Sequence, residues 1–367
     1  MVSCTKAEIT FEDNIKEIAK SHGYNYVKMI GQGGYGCVIE VEYKGKHFAM
    51  KVINKQKNED KLNIEMVKEF RGPNLIKILG EQIKEECYYL YVMENSYIGD
   101  LSEFHKFLYK YLIFKEPFLE LVGDNLIRKL TQQMVNALKT LYLGNLVHFD
   151  IKPNNMLMFE NLTLKLIDFS LLKKIKTQKD NIPGGTFGYR TPESYENKEF
   201  SSNDLKKQDY YALGITIYFL KYGKSPFYHC KKDNENANIT KNDYFQITLN
   251  TIEKIMHEIR TQKYQDKDFN DFLCNLIQFK PKDRLNFEQI IRNKWLNKNK
   301  NEIKKINYIN QSNENNLILE LEKSDFLINN IQCYRKKKFD EKYNNEKENK
   351  KYKQLKKGKF KFGKRNS

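Results

Sequence analysis

The apolar residues of this chain follow two different periods, one after the other. From residue 24 to about 91, short segments such as YNYVKMI, CVIEVEY and HFAMKVI are rich in β-branched and aromatic residues and are separated by turns, which is typical of β-strands. From 101 to 295, apolar residues recur at steps of three and four, as in NLIRKLTQQMVNALKTLYLG, which predicts helices. We therefore predict an α+β fold with two lobes, a β-rich lobe ending near residue 95 and an α-rich lobe beginning near residue 101.

Composition and charge divide the 367 residues into three parts. With 40% hydrophobic and 13% aromatic residues, most of the chain can build a packed core. We predict an N-terminal extension over 1–23, a folded body over 24–297 and a basic, low-complexity tail over 298–367. The tail carries 20 Lys and Arg against 9 Asp and Glu, so it holds most of the net charge of +17. The basicity therefore does not make the body a nucleic-acid-binding fold.

The cysteines and the apolar segments bear on the compartment. The six cysteines show no C-x-x-C spacing, which favours free thiols in a reducing compartment over a zinc site or a disulfide framework. No apolar signal region opens the chain, and its longest apolar stretch, 210–220, is much shorter than the roughly 20 residues of a membrane span. We predict an intracellular protein of the cytoplasm or nucleus, with no transmembrane segment.

A glycine pattern and a lysine suggest a phosphate site in the first lobe. Gly31, Gly33 and Gly36 form G-x-G-x-x-G, whose backbone N–H groups can approach phosphates, although a flexible turn uses glycines too. A predicted strand follows them, so we expect a β-hairpin rather than a Rossmann turn. Lys51 lies among apolar neighbours on the next strand. It either pairs with an anion such as phosphate or extends to solvent from a strand edge.

A second group of polar residues lies in the α-rich half. HFDIKPNN places Asp150, Lys152 and Asn155 on one loop, and LKLIDFS places Asp168 at the end of a predicted buried strand. Phosphoryl transfer needs a carboxylate to orient the attacking hydroxyl, a cation near the phosphate and oxygen ligands for Mg²⁺. Each residue alone is an ordinary turn residue, but together they supply every part of that reaction.

With these motifs in this order, residues 24–297 resemble the eukaryotic protein kinase family. The resemblance implies the bilobed protein kinase fold and transfer of the γ-phosphoryl group of ATP to Ser or Thr hydroxyls of protein substrates, with Mg²⁺. It implies Asp150 as the catalytic base and Asn155 and Asp168 as magnesium ligands. Lys152 matches the pattern of the serine/threonine type and completes the catalytic set.

The resemblance also implies a nucleotide site. The glycines form its lid, Val38 forms a wall of the adenine pocket, and Lys51 binds the α- and β-phosphates. Met93 is the expected gatekeeper before the hinge. The full implied set is Gly31, Gly33, Gly36, Val38, Lys51, Glu65, Glu94, Asn95 and Asp100.

Parts of the scaffold follow from the same resemblance. It implies that Thr186 lies near the catalytic loop, that Glu193 pairs with Arg284, and that Asp209, at the start of a buried helix, supports the catalytic loop.

Three positions depart from the family pattern. Without gaps, Asn63 rather than Glu65 stands where the family has the glutamate that pairs with Lys51, and two helical residues differ by about 200° in direction. Ser170 replaces the glycine of Asp-Phe-Gly, and Phe149 replaces the arginine of His-Arg-Asp. The alternative to an active kinase is a pseudokinase, a binding module that retains the fold without efficient transfer.

The tail leaves its partners open. Residues 350–365 carry nine Lys and Arg and no acidic residue. A solvated end, nuclear targeting, and contact with an acidic partner, an acidic lipid or a nucleic acid all fit that charge. Residues 315–333 have enough apolar residues for one amphipathic helix.

Overall fold

The computed structural model describes residues 11–33, 36–55, 71–113, 124–176, 178–196, 198–228, 240–261 and 266–298. Several predictions fall outside these ranges, namely Asn63, Glu65, the amphipathic segment 315–333 and the tail from 299 onward.

The first lobe contains a five-stranded antiparallel sheet in the order β1-β2-β3-β5-β4. Its strands are β1 (Asn25–Gly33), β2 (Gly36–Tyr43), β3 (Lys46–Asn54), β4 (Ile78–Lys84) and β5 (Tyr88–Glu94). The strand-like segments of the sequence match all five, and the segment LIKILG, which begins at residue 75, corresponds to the fourth. The structure begins that strand at Ile78, because Ile76 donates its N–H to Leu166 of the second lobe (3.0 Å). The segment before β4 therefore joins the two lobes.

A helix in the N-terminal extension covers one face of this sheet, which the sequence did not predict. Helix α1 (Phe11–Ser21) has Glu12 and Asp13 in its first turn and Lys20 in its last, as the helix dipole favours. Its two buried residues are Ile15 and Ala19. They pack with Cys37, Ile39, Val41, Met50, Val52, Leu90 and Val92 of the sheet. Since strand residues alternate between faces, the other face is left for the cleft between the lobes.

The second lobe is built from six helices among the described residues. They are α2 (Leu101–Ile113), α3 (Asp124–Leu143), α4 (Ser202–Tyr222), α5 (Lys241–Thr261), α6 (Lys267–Leu276) and α7 (Phe287–Ile291). Helix α4 contains the longest apolar stretch and is buried along most of its length. Ser201 caps its first turn, and Gly223, with φ of 73°, ends it. None of the helices in the described ranges is long and apolar enough to cross a membrane.

Five short strands, one before α2 and four between α3 and α4, carry the loops of the site. They are β6 (Gly99–Asp100), β7 (Leu146–Val147), β8 (Met156–Phe159), β9 (Thr163–Leu166) and β10 (Lys173–Lys174). Strands β6, β8 and β9 form one sheet, and β7 pairs with β10. The pairing of β8 with β9 sets Met156 opposite Leu166. It thereby brings the end of the 148–155 loop next to the segment that contains Asp168.

Candidate active site

A cleft of about 660 Å³ lies between the sheet and the second lobe, within the range typical of small-molecule sites. It is lined by residues predicted for both phosphate binding and catalysis. These are Gly31, Gly36, Val38, Lys51, Asp100, Asp150, Lys152, Asn155 and Asp168. The fold thus brings together two groups of residues about 100 positions apart in sequence.

The glycines form the predicted hairpin at the upper edge of the cleft. Gly33 and Gly36 are paired where β1 turns into β2. A Cβ atom at Gly36 would stand 1.9 Å from the carbonyl oxygen of Val52, so the close packing of β2 on β3 requires glycine there. A Cβ atom at Gly31 would lie 4.0 Å from its nearest neighbour, so close packing does not require glycine there. Its missing side chain leaves room in the cleft instead.

Lys51 and Asp168 form an ion pair across the cleft. Burial lowers the pKa of Lys51, but contacts with Tyr91 and Asp168 outweigh it and raise the pKa above its ordinary value. Burial raises the pKa of Asp168, but Lys51 and a hydrogen bond from Ser170 outweigh that effect and lower it. The pair is therefore charged, and the Ser170 hydroxyl supports the carboxylate.

Asp150 accepts hydrogen bonds on both carboxylate oxygens. Oδ2 accepts from Lys152 Nζ (2.6 Å) and from Asn155 Nδ2 (2.8 Å). Oδ1 accepts from the backbone N–H (3.1 Å) and the hydroxyl (2.6 Å) of Thr186. Lys152 also donates to Thr186 Oγ1 (2.7 Å). These contacts confirm that Thr186 lies at the catalytic loop.

Asp209 supports the backbone before Asp150, as the resemblance implied. Its carboxylate accepts the N–H groups of His148 (2.7 Å) and Phe149 (2.9 Å). Phe149 has φ of 64°, a left-handed conformation that costs an aromatic residue about 1–3 kcal/mol. Burial raises the pKa of Asp209 to about 7, although both N–H donors favour its ionised form. Asp209 therefore offsets the strain of a backbone turn that directs Asp150 into the cleft.

The implied pair between Glu193 and Arg284 is present and buried. Arg284 Nη1 and Nη2 donate to the two Glu193 oxygens at 2.6 and 2.7 Å. This bidentate geometry is the stronger form of the interaction. It ties the segment that follows Thr186 to the residues just before α7.

The comparisons with known proteins agree with this geometry. The protein kinase domain model matches residues 24–296. The chain belongs to the protein kinase family. The kinase is 27% identical to the Aurora kinase of Saccharomyces cerevisiae, over 74% of this chain and 69% of that one. It is also 27% identical to the Aurora kinase of Schizosaccharomyces pombe, over 74% and 71%. The predicted resemblance is confirmed, and the protein is a serine/threonine kinase with the α+β bilobed fold.

The kinase has a donor set that fits magnesium with nucleotide. Both hydrogen bonds of Asn155 to Asp150 use its amide nitrogen (2.8 Å each), so its amide oxygen is the atom left for a metal. Asp168 offers a carboxylate whose side chain is 33% exposed. Two such ligands suit Mg²⁺, which takes its other ligands from phosphates and water. Among the described residues no cluster of three or more His, Cys, Asp or Glu could hold a metal ion.

Some of the predicted nucleotide ligands are engaged elsewhere in the kinase. The Glu94 carboxylate accepts from the backbone N–H of Lys77 and from Lys165 Nζ (2.7 Å each). The Glu94 N–H also donates to the Lys77 carbonyl oxygen (3.2 Å), and neither Glu94 nor Asn95 lines the cleft. Asp100 lines it, but Oδ1 caps the N-terminus of α2 through Glu103 N (2.8 Å). The structure places Met93, the expected gatekeeper, in the cleft wall.

Sequence reasoning missed Tyr91, a residue at the site. Tyr91 lines the cleft and is 2% exposed. The alternating pattern of CYYLYVM puts Tyr91 on the same strand face as Met93. Its position beside Lys51 depends on the register between β3 and β5, which sequence alone does not reveal.

Proposed function

We propose that this kinase transfers the γ-phosphoryl group of ATP to Ser or Thr hydroxyls of protein substrates, with Asp150 as the catalytic base. The observation that carries the proposal is the shared cleft, in which the Asp150–Lys152 pair lies with the Lys51–Asp168 pair. One pair suits the attacking hydroxyl, and the other suits the phosphates and their metal ion. A phosphotransferase requires both kinds of charge pair within one cavity.

The hydrogen bonds of Asp150 indicate how a substrate hydroxyl would enter. An ionised carboxylate has about four acceptor positions, and four donors already reach Asp150. A substrate hydroxyl therefore has to replace one of them. The Thr186 hydroxyl is the donor that can rotate away, since Lys152 Nζ also contacts it and can hold it elsewhere. Lys152 then remains to balance charge at the transferring phosphoryl group.

The residues facing the sheet would hold the nucleotide. Bound Mg²⁺ and ATP supply the phosphoryl group and neutralise its charge. We assign Lys51 to the α- and β-phosphates, Asn155 and Asp168 to the metal, and Val38 to the adenine. The remaining assignments are Gly31, Gly33 and Gly36 as the lid, the main chain of Glu94 and Asn95 as the hinge, Glu65 as a further ligand of Lys51, and Asp100 near the ribose.

The rival function is that of a pseudokinase. It is disfavoured because Lys51, Asp150, Asn155 and Asp168 are all retained and all line the cleft. Arrays of Ser, Thr and Tyr peptides, incubated with labelled ATP and Mg²⁺, separate the two. We expect incorporation on Ser and Thr peptides only. An array without signal, from protein that still binds ATP, would support the pseudokinase.

The magnesium assignment has its own test. Asp168→Ala should abolish the Mg²⁺ dependence of nucleotide binding, because its carboxylate is the proposed direct ligand. Calorimetric titration with ATP, with and without Mg²⁺, measures this. The same enhancement by Mg²⁺ in the variant and the unmodified kinase would refute the assignment.

For the basic tail we propose contact with an acidic partner, a nucleic acid or an acidic lipid, and for the kinase an intracellular location in the cytoplasm or nucleus. The tail's charge supports the first. Free thiols at Cys37, Cys87 and Cys274 support the second. A fluorescent fusion, with and without residues 299–367, shows whether the tail sets the location.

A further inference from the structure

Tyr91 and Lys51 stand directly opposite each other in neighbouring strands. The antiparallel pairing of β3 with β5 sets Lys51 against Tyr91 and Ala49 against Met93. Side chains of directly opposed residues project from the same face, with Cβ atoms about 4.5–5.5 Å apart. This is the cleft face, since Lys51, Tyr91 and Met93 all line the cavity. The sheet itself thus places a phenol beside the phosphate-binding lysine.

The two side chains suit each other as partners. Tyr91 is 2% exposed, and a buried phenol needs a hydrogen-bond partner. The paired strands place its hydroxyl group beside the Lys51 ammonium group, whose pKa that contact raises, while Lys51 also pairs with Asp168. An ammonium group has three N–H donors. With one N–H toward Asp168 and one toward the Tyr91 hydroxyl, the third can serve a phosphate oxygen.

We propose that Tyr91 is a positioning residue, which holds the Lys51 ammonium group toward the phosphates of ATP from within the sheet. The inference deepens the proposed function and rests on it. In the nucleotide complex, Asp168 is assigned to Mg²⁺ and can no longer be the main partner of Lys51. The Tyr91 hydroxyl stays in place, because β5 carries it. It supplies an oxygen acceptor to Lys51 that does not depend on Glu65 or on the helix register around Asn63.

The chemistry of a phenol suits this position. Burial raises the pKa of Tyr91, so the group is a neutral phenol at physiological pH. A neutral acceptor orients the ammonium group without cancelling its charge, and the full positive charge acts on the phosphates. A carboxylate at the same place would neutralise it.

The direct test is Tyr91→Phe, which removes the hydroxyl and keeps the ring. We expect the KM for ATP to rise about tenfold, the typical effect of losing one hydrogen bond to a charged group. We also expect the pKa of Lys51 to fall, because burial then acts with one fewer acceptor. The pH dependence of Lys51 acylation by an acyl-phosphate analogue of ATP measures this pKa. Its midpoint should move to lower pH, which a merely structural role of the ring would not cause.

Tyr89→Phe is the matched control. Tyr89 lies on the same strand and the same face, opposite Ile53, and stacks with Lys55 at 4.8 Å from its ring. Loss of the Tyr89 hydroxyl group should change neither the KM for ATP nor the acylation profile. A profile unchanged by Tyr91→Phe, or changed equally by Tyr89→Phe, would overturn the proposal.

Two further measurements keep the test decisive. In a Lys51→Met background, Tyr91→Phe should have no additional effect on nucleotide affinity, whereas an equal loss in both backgrounds would show that the ring acts only through packing. Since Glu65 is assigned as a further ligand of Lys51, Glu65→Gln should also move the acylation profile, but by less than Tyr91→Phe if Tyr91 holds Lys51. A large shift in Glu65→Gln with none in Tyr91→Phe would assign the role to Glu65. Acylation and nucleotide binding need no phosphoryl transfer, so an array without signal would refute the kinase function and leave the Tyr91 result standing.

Discussion

Asp150 stays ionised because of its donors. Burial raises its pKa, but Lys152 and Thr186 outweigh burial and hold the pKa below the ordinary value of 3.8. A carboxylate in this state accepts a proton only as the substrate hydroxyl loses it. Acidic conditions should therefore not limit catalysis through this residue at any pH where the kinase is folded.

Lys152→Met tests that explanation. Removing the ammonium group leaves burial less opposed, so the pKa of Asp150 should rise, and kcat/KM of the variant should gain an acid limb that the unmodified kinase lacks. The profile between about pH 5 and 8 measures it. Lys294→Met, in which a mostly exposed lysine is changed, should leave the profile unchanged. If the Lys152 variant lost activity by the same factor at every pH, the pKa explanation would be wrong.

The catalytic residues were predictable because their spacing is local. Asp150, Lys152 and Asn155 belong to one loop, so their order in the sequence brings them together. Tyr91 was not predictable, since its contact with Lys51 spans two strands and depends on their register. Glu94 and Asp100 also show a limit, because their carboxylates serve structural hydrogen bonds that no motif reveals.

At the scale of elements, the segment after Asp168 is held by the protein itself. Phe149, in place of the family's arginine, is 7% exposed and packs with Ile175, Phe200 and Leu205. Lys173 Nζ donates to Asp180 Oδ1 (2.6 Å), a carboxylate of the same segment. The Asp180 and Phe200 backbones also exchange two hydrogen bonds (2.9 and 3.1 Å). An apolar cluster and an internal carboxylate thus hold the described part of this segment without a phosphate.

We therefore predict that the kinase is active without phosphate on this segment. Phosphatase treatment, or Thr177→Ala at a position outside the described residues, should leave most of the activity intact. Peptide phosphorylation before and after treatment measures it. A loss greater than about tenfold would mean that a phosphate orders the segment after all. Asp180→Asn should lower activity more than either treatment, because it removes the carboxylate that Lys173 uses.

Helix α1 shows why an element can escape sequence reasoning. Eleven residues with two buried positions are too short to be stable in isolation. The helix exists because Ile15 and Ala19 cover the sheet. The pattern of residues 1–23 alone does not reveal this helix, because the sheet surface that it covers is formed by residues about 20 to 80 positions further along the chain.

Ile15→Ala should therefore destabilise the first lobe. Truncation of a fully buried core isoleucine to alanine lowers the free energy of unfolding by about 2–5 kcal/mol. Denaturant unfolding of the intact kinase measures it. Glu17→Ala, at an exposed position of the same helix, should change the free energy by less than about 0.5 kcal/mol. Equal effects of the two substitutions would show that α1 does not stabilise the sheet.

At the scale of the whole molecule, the first residue of the predicted tail packs on the second lobe. Lys298 Nζ contacts Asp266 (2.6 Å) and Asp268 (2.8 Å), and its side chain is 10% exposed. Asp266 is the N-cap of α6. Two ion pairs therefore tie the first residue of the predicted tail to the second lobe.

Truncation after Lys298 should preserve peptide kinase activity and the melting temperature. Truncation after Leu296 should lower the melting temperature, since Asp266 and Asp268 lose their cation. Comparison of the form that ends at Lys298 with the full chain also isolates the effect of the tail. Binding of RNA, DNA or acidic vesicles should fall on truncation and weaken with salt. Binding that persists in the truncated form would place the acidic-partner surface on the body.

The most direct test of the central claim is Asp150→Asn. The amide keeps the size of the carboxylate but cannot accept the substrate proton, so phosphoryl transfer should fall by roughly 100- to 10,000-fold. Nucleotide affinity should stay nearly unchanged, because Lys51, Asn155 and Asp168 are intact. Transfer rate and ATP affinity, measured on the same preparation, decide the matter. A variant that transfers phosphate at the normal rate, or loses ATP binding as much as transfer, would contradict Asp150 as the base.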